Sequence, residues 1–277
     1  LSKIDTSEIS KPSIVRFLAD DNETVLNGIL TLPHDYEEGK RYPLIVYGYG
    51  MPGTQIVRNR WQGGFQQFLA KEGYIVFSMD TRGMAGRGRD FKNLSYGDMA
   101  YYLSKDNATG VQYLIDEGYV DEKRIGAWGW SGGGYFTCLM LTKNSELFDV
   151  GVAVAPVTDF RLYDTAYTER YMGLPQENTR GYDSTSTIGS LRSGVKFAFN
   201  NKVESVSDVL ENDQGKKFFQ FTTGTTGNNS FLKIKQVISC YSKSVVHMGN
   251  VGSGQLTKFT NQILICGVLY SISEAHI

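Results

Sequence analysis

The sequence predicts an α/β fold in which a mainly parallel sheet is flanked by helices. Segments of apolar, β-favouring residues alternate with segments of helical spacing, which is the order typical of this class. Most strand candidates are apolar throughout, as strands are when helices cover both faces of a sheet. The chain has 277 residues, 41% of them hydrophobic, and is therefore long enough to bury a large core.

The strand and helix candidates follow one another regularly as far as about residue 155. Residues 14–19 and 24–32 are expected to form an antiparallel hairpin around a polar turn. The segments apolar enough for buried strands are residues 44–47, 74–79, 125–130 and 150–155. Helical spacing is found in residues 61–72, 99–117 and 134–141.

The charge balance and the cysteine spacing limit what the protein is expected to bind. Lys and Arg number 28 and Asp and Glu 29, and this balance argues against nucleic acid or an anionic membrane surface as a partner. The most apolar stretch, residues 263–269, is far shorter than the roughly 20 residues that span a bilayer, so we expect a soluble segment without membrane contact. Cys138, Cys240 and Cys266 have no metal-ligand spacing, and they leave the compartment and the oligomeric state open.

A serine motif stands where a strand candidate meets a helix candidate. Residues 129–133 are GWSGG and fit the pattern G-x-S-x-G. A strand-to-helix turn with glycines on both sides would project the hydroxyl of Ser131 at the edge of the sheet as a nucleophile. The N–H of Gly132 would then face a developing oxyanion. The alternative is a glycine-rich turn that only packs a helix close against a strand.

Several segments around this motif resemble one peptidase family. They are GAWGWSGGGY at 126–135, VAPV at 154–157, YTERYMGLP at 167–175, DTRG at 80–83 and GRGRDF at 86–91. Together they resemble the dipeptidyl peptidase IV branch of the prolyl oligopeptidase family, peptidase family S9, over about residues 14–188. The resemblance implies an α/β-hydrolase fold, present in part, and a serine peptidase that works by acyl transfer through Ser131 on a peptide substrate.

The resemblance also implies roles for individual residues. Tyr49 matches the family tyrosine whose hydroxyl joins the N–H of Gly132 in the oxyanion hole. The positions that match the pocket receiving proline are Val157, Phe160, Tyr163 and Tyr167. Such an aromatic slot suits a rigid proline ring, because shape and dispersion forces do the selecting.

The sequence departs from the family pattern at three of these places. Met51 stands where a glycine is common in the Tyr49 segment, and Phe160 stands where a pocket wall is usually Trp. Gly132 replaces the usual Tyr after the nucleophile. The last two changes leave the size of the pocket open.

The base that should activate Ser131 is harder to find. In this fold the order is Ser, then Asp or Glu, then His, so His34 comes too early in the chain. Asp208 and His247 have the expected spacing, but their neighbours do not resemble the family segments. We therefore expect an impaired peptidase, and a catalytically dead fragment or fusion product is the alternative.

The last part of the chain resembles a different family. Residues 230–277 resemble a fragment of the β-hydroxyacid dehydrogenases of the hydroxyisobutyrate type, with a G-x-x-G-x-G-x-x-x-K-x-x-N segment at 249–261. Lys258 and Asn261 would share one helical face there. No dinucleotide fingerprint precedes them, so no NAD site and no other cofactor is expected. An NAD-dependent dehydrogenase fragment is the less favoured function.

These resemblances divide the chain into three parts. Residues 1–188 are expected to form an incomplete peptidase domain, residues 189–229 a polar junction, and residues 230–277 a helical tail foreign to the hydrolase fold. Such a chain suggests a fusion or an assembly artefact. With residues 189–277 in place of the last strands of the family, we expect the sheet edge beyond residues 150–155 to be left uncovered.

Overall fold

The fold is described by a computed structural model for residues 9–60 and 64–187 and for the backbone of two strands within 210–221. The strands are β1 Ser13–Leu18, β2 Val25–Thr31, β3 Tyr42–Tyr47, β4 Ile75–Asp80, β5 Val120–Trp130, β6 Val150–Val154, β7 Leu210–Glu211 and β8 Lys217–Phe221. The helices are α1 Gly64–Lys71, α2 Arg89–Asn93, α3 Tyr101–Asp116, α4 Gly132–Lys143, α5 Thr165–Met172 and α6 Thr179–Thr185, with a 3-10 turn at Phe160–Leu162.

The strands form one sheet in the order β1-β2-β4-β3-β5-β6-β8-β7. The hairpin β1–β2 joins β4 in antiparallel orientation, whereas β4, β3, β5 and β6 run parallel to one another. All six residues of β4 are buried, as expected for a strand covered on both faces. The predicted α/β class with a mainly parallel sheet is confirmed.

Parallel strands bring their carboxyl ends to one edge of the sheet. Tyr47 at the end of β3 pairs with Trp128 of β5, and Trp130 at the end of β5 pairs with Val154 of β6. The segments that follow β3, β4, β5 and β6 therefore meet at this edge. In open α/β sheets this is where ligands and catalytic residues gather.

The edge of the sheet beyond β6 differs from the expectation. β8 lies next to β6 and pairs with β7 in antiparallel orientation. The prediction that residues 189–225 leave this edge uncovered is therefore wrong, because the described backbone of β8 covers it. The reason is local, since KFFQF at 217–221 is rich in β-favouring phenylalanine but too short to show a period within a polar stretch.

The chain divides into two compact units, and the sheet belongs to the unit made of residues 1–198 and 209–220. Apart from the last residue of β8, the other unit lies outside the described residues. The predictions that fall there concern the helical tail and Asp208, Cys240, His247, Lys258, Asn261 and Cys266. No helix in the described part of the chain is long and apolar enough to cross a membrane.

A buried arginine joins the β1–β2 turn to the rest of the domain. Arg82, just after β4, pairs with the fully buried Asp106 of α3 at 2.5 Å and with Asp21 at 2.9 Å. It also pairs with Asp20, which Lys105 contacts at 2.5 Å. Burial alone would lower the pKa of Arg82, but its hydrogen bonds to Asp106 and Asp20 raise that pKa above the ordinary value. The guanidinium therefore stays charged and holds turn, sheet and helix together.

Candidate active site

Ser131 lies in the turn between β5 and α4. Its φ of 56° and ψ of −116° fall in a region that L-residues other than glycine seldom adopt. Its N–H donates to the carbonyl of Val154 at 2.8 Å, and its own carbonyl accepts the N–H of Tyr135 at 3.0 Å. The strained turn is thus fixed to the sheet on one side and to the helix on the other. The side chain emerges at the carboxyl edge of the parallel strands.

The glycines after Ser131 let α4 approach the sheet closely. A Cβ on Gly134 would lie 2.7 Å from the carbonyl oxygen of Val154 and 3.1 Å from the nitrogen of Pro156. A Cβ on Gly133 would collide with the carbonyl oxygen of Gly48 at the end of β3. Backbone atoms cannot give way as flexible side chains do. The glycine-rich turn therefore does pack α4 close against the sheet, as the alternative interpretation of this motif expected. The same turn also contains the strained Ser131.

A second strained residue, Ala155, follows β6 at the same edge. Its φ is 45°, again in the left-handed region. This bend comes directly after Val154, whose carbonyl holds Ser131, and places Pro156 against α4. The sequence gives no sign of this bend, because a residue before proline usually adopts an extended conformation.

Tyr49 lies on the loop after β3 and reaches the start of α4. Its ring atoms Cε1 and Cζ are 3.2 and 3.3 Å from the position that a Cβ on Gly132 would take. Cζ carries the hydroxyl group, so the polar end of Tyr49 lies beside the residue that follows Ser131. The structure thus brings Ser131, Gly132 and Tyr49 together.

Asp80 holds the continuation of the Tyr49 loop in place. Its carboxylate accepts the N–H groups of Ile56 at 2.6 Å and Val57 at 3.2 Å. Burial raises the pKa of Asp80, and these hydrogen bonds oppose the rise. No role for Asp80 was predicted from the sequence. The available signal was an acidic residue at the end of an otherwise apolar strand.

The residues predicted to form the proline pocket make a row of aromatic rings. Phe160 and Tyr163 meet edge to face at 6.5 Å between centroids, and Tyr163 and Tyr167 do so at 6.0 Å. Tyr171 continues the row 5.1 Å from Tyr167. Val157 belongs to the same buried cluster of hydrophobic side chains. The structure therefore gathers the four predicted residues in the segment that follows β6.

Tyr167 connects this row with the Tyr49 loop. Burial raises its pKa well above the ordinary tyrosine value, and the neighbouring Tyr171 and Tyr49 raise it further. Its hydroxyl is buried and has no hydrogen-bond partner among the described residues. Tyr167 is therefore protonated at any physiological pH, and it lies close enough to Tyr49 for the two to interact.

The chain is similar to known proteins over the part that holds these residues. A family model described as the prolyl oligopeptidase family matches residues 62–199. The chain is 40% identical over 169 residues to a protein of Aspergillus terreus named "Probable dipeptidyl-aminopeptidase B", and 41% identical over 169 residues to its namesake in Botryotinia fuckeliana. This part of the chain belongs to the prolyl oligopeptidase family. By family it is a serine peptidase, which confirms the resemblance inferred from the motifs.

A solved structure extends the match to three dimensions. Dipeptidyl peptidase 4 of Porphyromonas gingivalis superposes with a TM-score of 0.63 at 34% identity, over 66% of this chain and 26% of the other. The match covers 60% of this chain but 18% of each fungal relative. The chain thus spans about a fifth of the length of these family members.

A serine peptidase of this family needs a base, and His34 is badly placed to be one. His34 follows β2, whose last residue Thr31 pairs with Val76 near the start of β4. The start of β4 lies at the edge of the sheet opposite to Ser131. The backbone N–H of His34 donates there to the carbonyl of Ala70 at 3.1 Å. His247 and His276 lie outside the described residues.

No cluster of metal ligands and no reactive thiol are present in the described ranges. Within residues 9–60 and 64–187, no group of three His, Cys, Asp or Glu side chains is placed to hold a metal ion. Cys138 is buried in α4, and burial raises the pKa of its thiol to about 12. A thiol of this kind is protonated at neutral pH and is a poor nucleophile.

Proposed function

We propose that this chain hydrolyses peptides by acyl transfer through Ser131, after proline or another small residue. The observation that carries the proposal is the backbone of Ser131, strained at a strand-to-helix turn with Tyr49 beside the next residue. A non-glycine residue persists in such a conformation only where its surroundings hold it, and such residues cluster at active sites.

In the proposed reaction, the Oγ of Ser131 attacks the carbonyl carbon of the peptide bond as its proton passes to a base. The carbonyl oxygen becomes an oxyanion, which the N–H of Gly132 and the hydroxyl of Tyr49 stabilise by hydrogen bonds. Collapse of this intermediate breaks the C–N bond, and the amine leaves with a proton. Water then hydrolyses the acyl-serine ester and frees Ser131.

The proposed pocket for the residue before the cleaved bond is formed by Val157, Phe160, Tyr163 and Tyr167. Edge-to-face rings make a rigid apolar wall, and a proline ring fits such a wall without losing side-chain entropy. The names of the fungal relatives describe dipeptidyl aminopeptidases. A short substrate with proline in its second position is therefore the natural test compound.

We further propose that turnover is slow. His34 lies at the wrong edge of the sheet, and Asp208 and His247 match the family by spacing alone. When a triad is broken, oxyanion stabilisation and binding still give about 10³–10⁴-fold acceleration over water. Such residual acceleration does not need Ser131, so it would remain in Ser131→Ala. Turnover through Ser131, with water in place of a positioned base, should add to it and should stay far below that of a complete enzyme.

The test is hydrolysis of glycyl-prolyl p-nitroanilide by the chain and by its Ser131→Ala variant. Weak release of nitroaniline that falls in Ser131→Ala is the expected result. Equal rates in the two proteins would show that Ser131 is not the nucleophile and would favour the alternative, a catalytically dead fragment. Robust turnover that Ser131→Ala abolishes would show that a base is present, and a His247→Ala variant would then show whether it is His247.

A further inference from the structure

Met51 occupies the space beside Gly132 that a side chain after the nucleophile would fill. A Cβ built on Gly132 would fall inside van der Waals contact of Met51 Cγ, closer than to any atom of Tyr49. Met51 is only 5% exposed. Methionine at position 51 and the absence of a side chain at position 132 are therefore complementary, since a larger residue at 132 requires a smaller one at 51.

Hydrogen bonds to its carbonyl hold the backbone of Met51 beside the start of α4. The carbonyl oxygen of Met51 accepts the N–H of Thr54 at 3.1 Å and the hydroxyl of Thr54 at 2.5 Å. A Cβ on Gly53 would lie 3.3 Å from the hydroxyl oxygen of Tyr171. The loop thus runs from the start of α4 to the last ring of the aromatic row, and Met51 lies between the two.

We propose that Met51 determines which residue the peptidase accepts before the cleaved bond, by forming the pocket wall next to Ser131. This inference rests on the proposed function. A methionine has three rotatable side-chain bonds and a polarisable sulfur, so the wall it makes adapts to its contents. The pocket should therefore discriminate less sharply between proline and larger apolar residues than a pocket with a rigid aromatic wall at position 132.

The specificity test compares Ser131-dependent hydrolysis of the glycyl-prolyl and glycyl-leucyl amides of aminomethylcoumarin. The rate of each variant is corrected by that of the same variant carrying Ser131→Ala. Met51→Gly should raise the leucine-to-proline ratio of kcat/KM about 10-fold, because it removes several methylene-sized groups from the wall. Met51→Gly combined with Gly132→Tyr should bring the ratio back to the starting value or below it. Met99→Leu, a conservative change of a buried methionine in the core, is the control and should leave the ratio unchanged.

A second measurement tests the packing independently of activity. Gly132→Ala should lower Tm in the starting chain and lower it much less in the Met51→Gly background, since the colliding atom is then gone. Gly64→Ala is the matched control, because a Cβ on Gly64 would meet nothing within 4 Å. Its effect on Tm should be the same in both backgrounds.

The outcomes separate the two proposals. Hydrolysis with an unchanged leucine-to-proline ratio in Met51→Gly would overturn the inference and leave the proposed function in place. Equal Tm losses from Gly132→Ala in both backgrounds would also overturn it. If no variant hydrolyses either substrate in a Ser131-dependent manner, the proposed function fails and this inference fails with it.

Discussion

At the scale of single residues, the candidate site depends on atoms brought close by backbone geometry. Ser131 and Ala155 both adopt left-handed conformations at the carboxyl edge of the sheet, and a hydrogen bond from Ser131 N–H to Val154 connects the two bends. Tyr49 is placed by the end of β3, the strand next to β5. Its contribution to the proposed reaction lies in a single hydroxyl group, which can be removed without changing the shape of the ring.

Replacing Tyr49 by phenylalanine should reduce kcat about 10²-fold and leave KM nearly unchanged. The reason is that a hydrogen bond to the oxyanion forms only in the transition state. The measurement is steady-state hydrolysis of the proline substrate. Tyr47→Phe, which removes a hydroxyl two residues earlier at the end of β3, is the control. Similar losses in both variants would contradict the role of Tyr49.

At the scale of elements, α4 lies so close to the sheet that backbone atoms of the helix contact backbone atoms of the segments that follow the strands. Gly133 and Gly134 allow the first turn of α4 to touch the chain after β3 and after β6. This approach fixes the position of the start of the helix, where Gly132 directly follows Ser131. The helix itself is buried over most of its length, from Gly132 to Leu141. The glycines therefore serve both packing and the proposed chemistry.

Gly134→Ala should destabilise the fold by about 1–3 kcal/mol, the usual cost of overpacking. The added methyl group would press on the carbonyl of Val154 and on Pro156, neither of which can rotate away. Urea unfolding followed by circular dichroism measures the change. Gly64→Ala adds a methyl group to a helix in open space and should be neutral or stabilising by up to about 1 kcal/mol. A neutral result for Gly134→Ala would contradict the close contact.

The order of the elements was predictable from the sequence, and the contacts between them were not. Apolar runs and turn residues located β1 to β6 and the helices α1, α3 and α4 within a few residues. Elements that are buried in the core consist mostly of apolar residues, and this makes them recognisable in the sequence. The left-handed bend at Ala155 left no local pattern, and the acidic end of β4 did not show that Asp80 would hold Ile56, since both features arise from tertiary contacts. Short β8 was missed because five residues are too few to show a period.

At the scale of the whole molecule, the charge cluster around Arg82 couples the hairpin to the sheet and α3. Lys105 and Arg82 lower the pKa of Asp20 through hydrogen bonds to its carboxylate. The N–H groups of Thr24 and Glu23 lower the pKa of Asp21 from 3.8 to about 2. A carboxylate with a lowered pKa in the folded state binds fewer protons there than in the unfolded state. Its stabilising contribution is complete above its unfolded pKa and is lost as the pH falls through its folded pKa.

The free energy of unfolding should therefore fall between about pH 4 and pH 2, and it should fall less steeply in Asp21→Asn. Asparagine does not titrate, so the part of the decrease in the free energy of unfolding that comes from protonation of Asp21 is absent in this variant. Urea unfolding at several pH values in this window measures the slope. Asp90→Asn, which removes an exposed carboxylate of α2, is the control. An unchanged slope in Asp21→Asn would contradict the assignment of the low pKa to Asp21.

Ser131 is proposed to be the nucleophile, and reaction with a fluorophosphonate probe tests this most directly. The probe forms a bond between its phosphorus and the Oγ of an activated serine, and fluoride leaves. Intact-mass spectrometry followed by peptide mapping should find one adduct, on the peptide that contains Ser131, and none in Ser131→Ala. An unmodified chain after long exposure, or equal modification of the Ser131→Ala variant, would contradict the account.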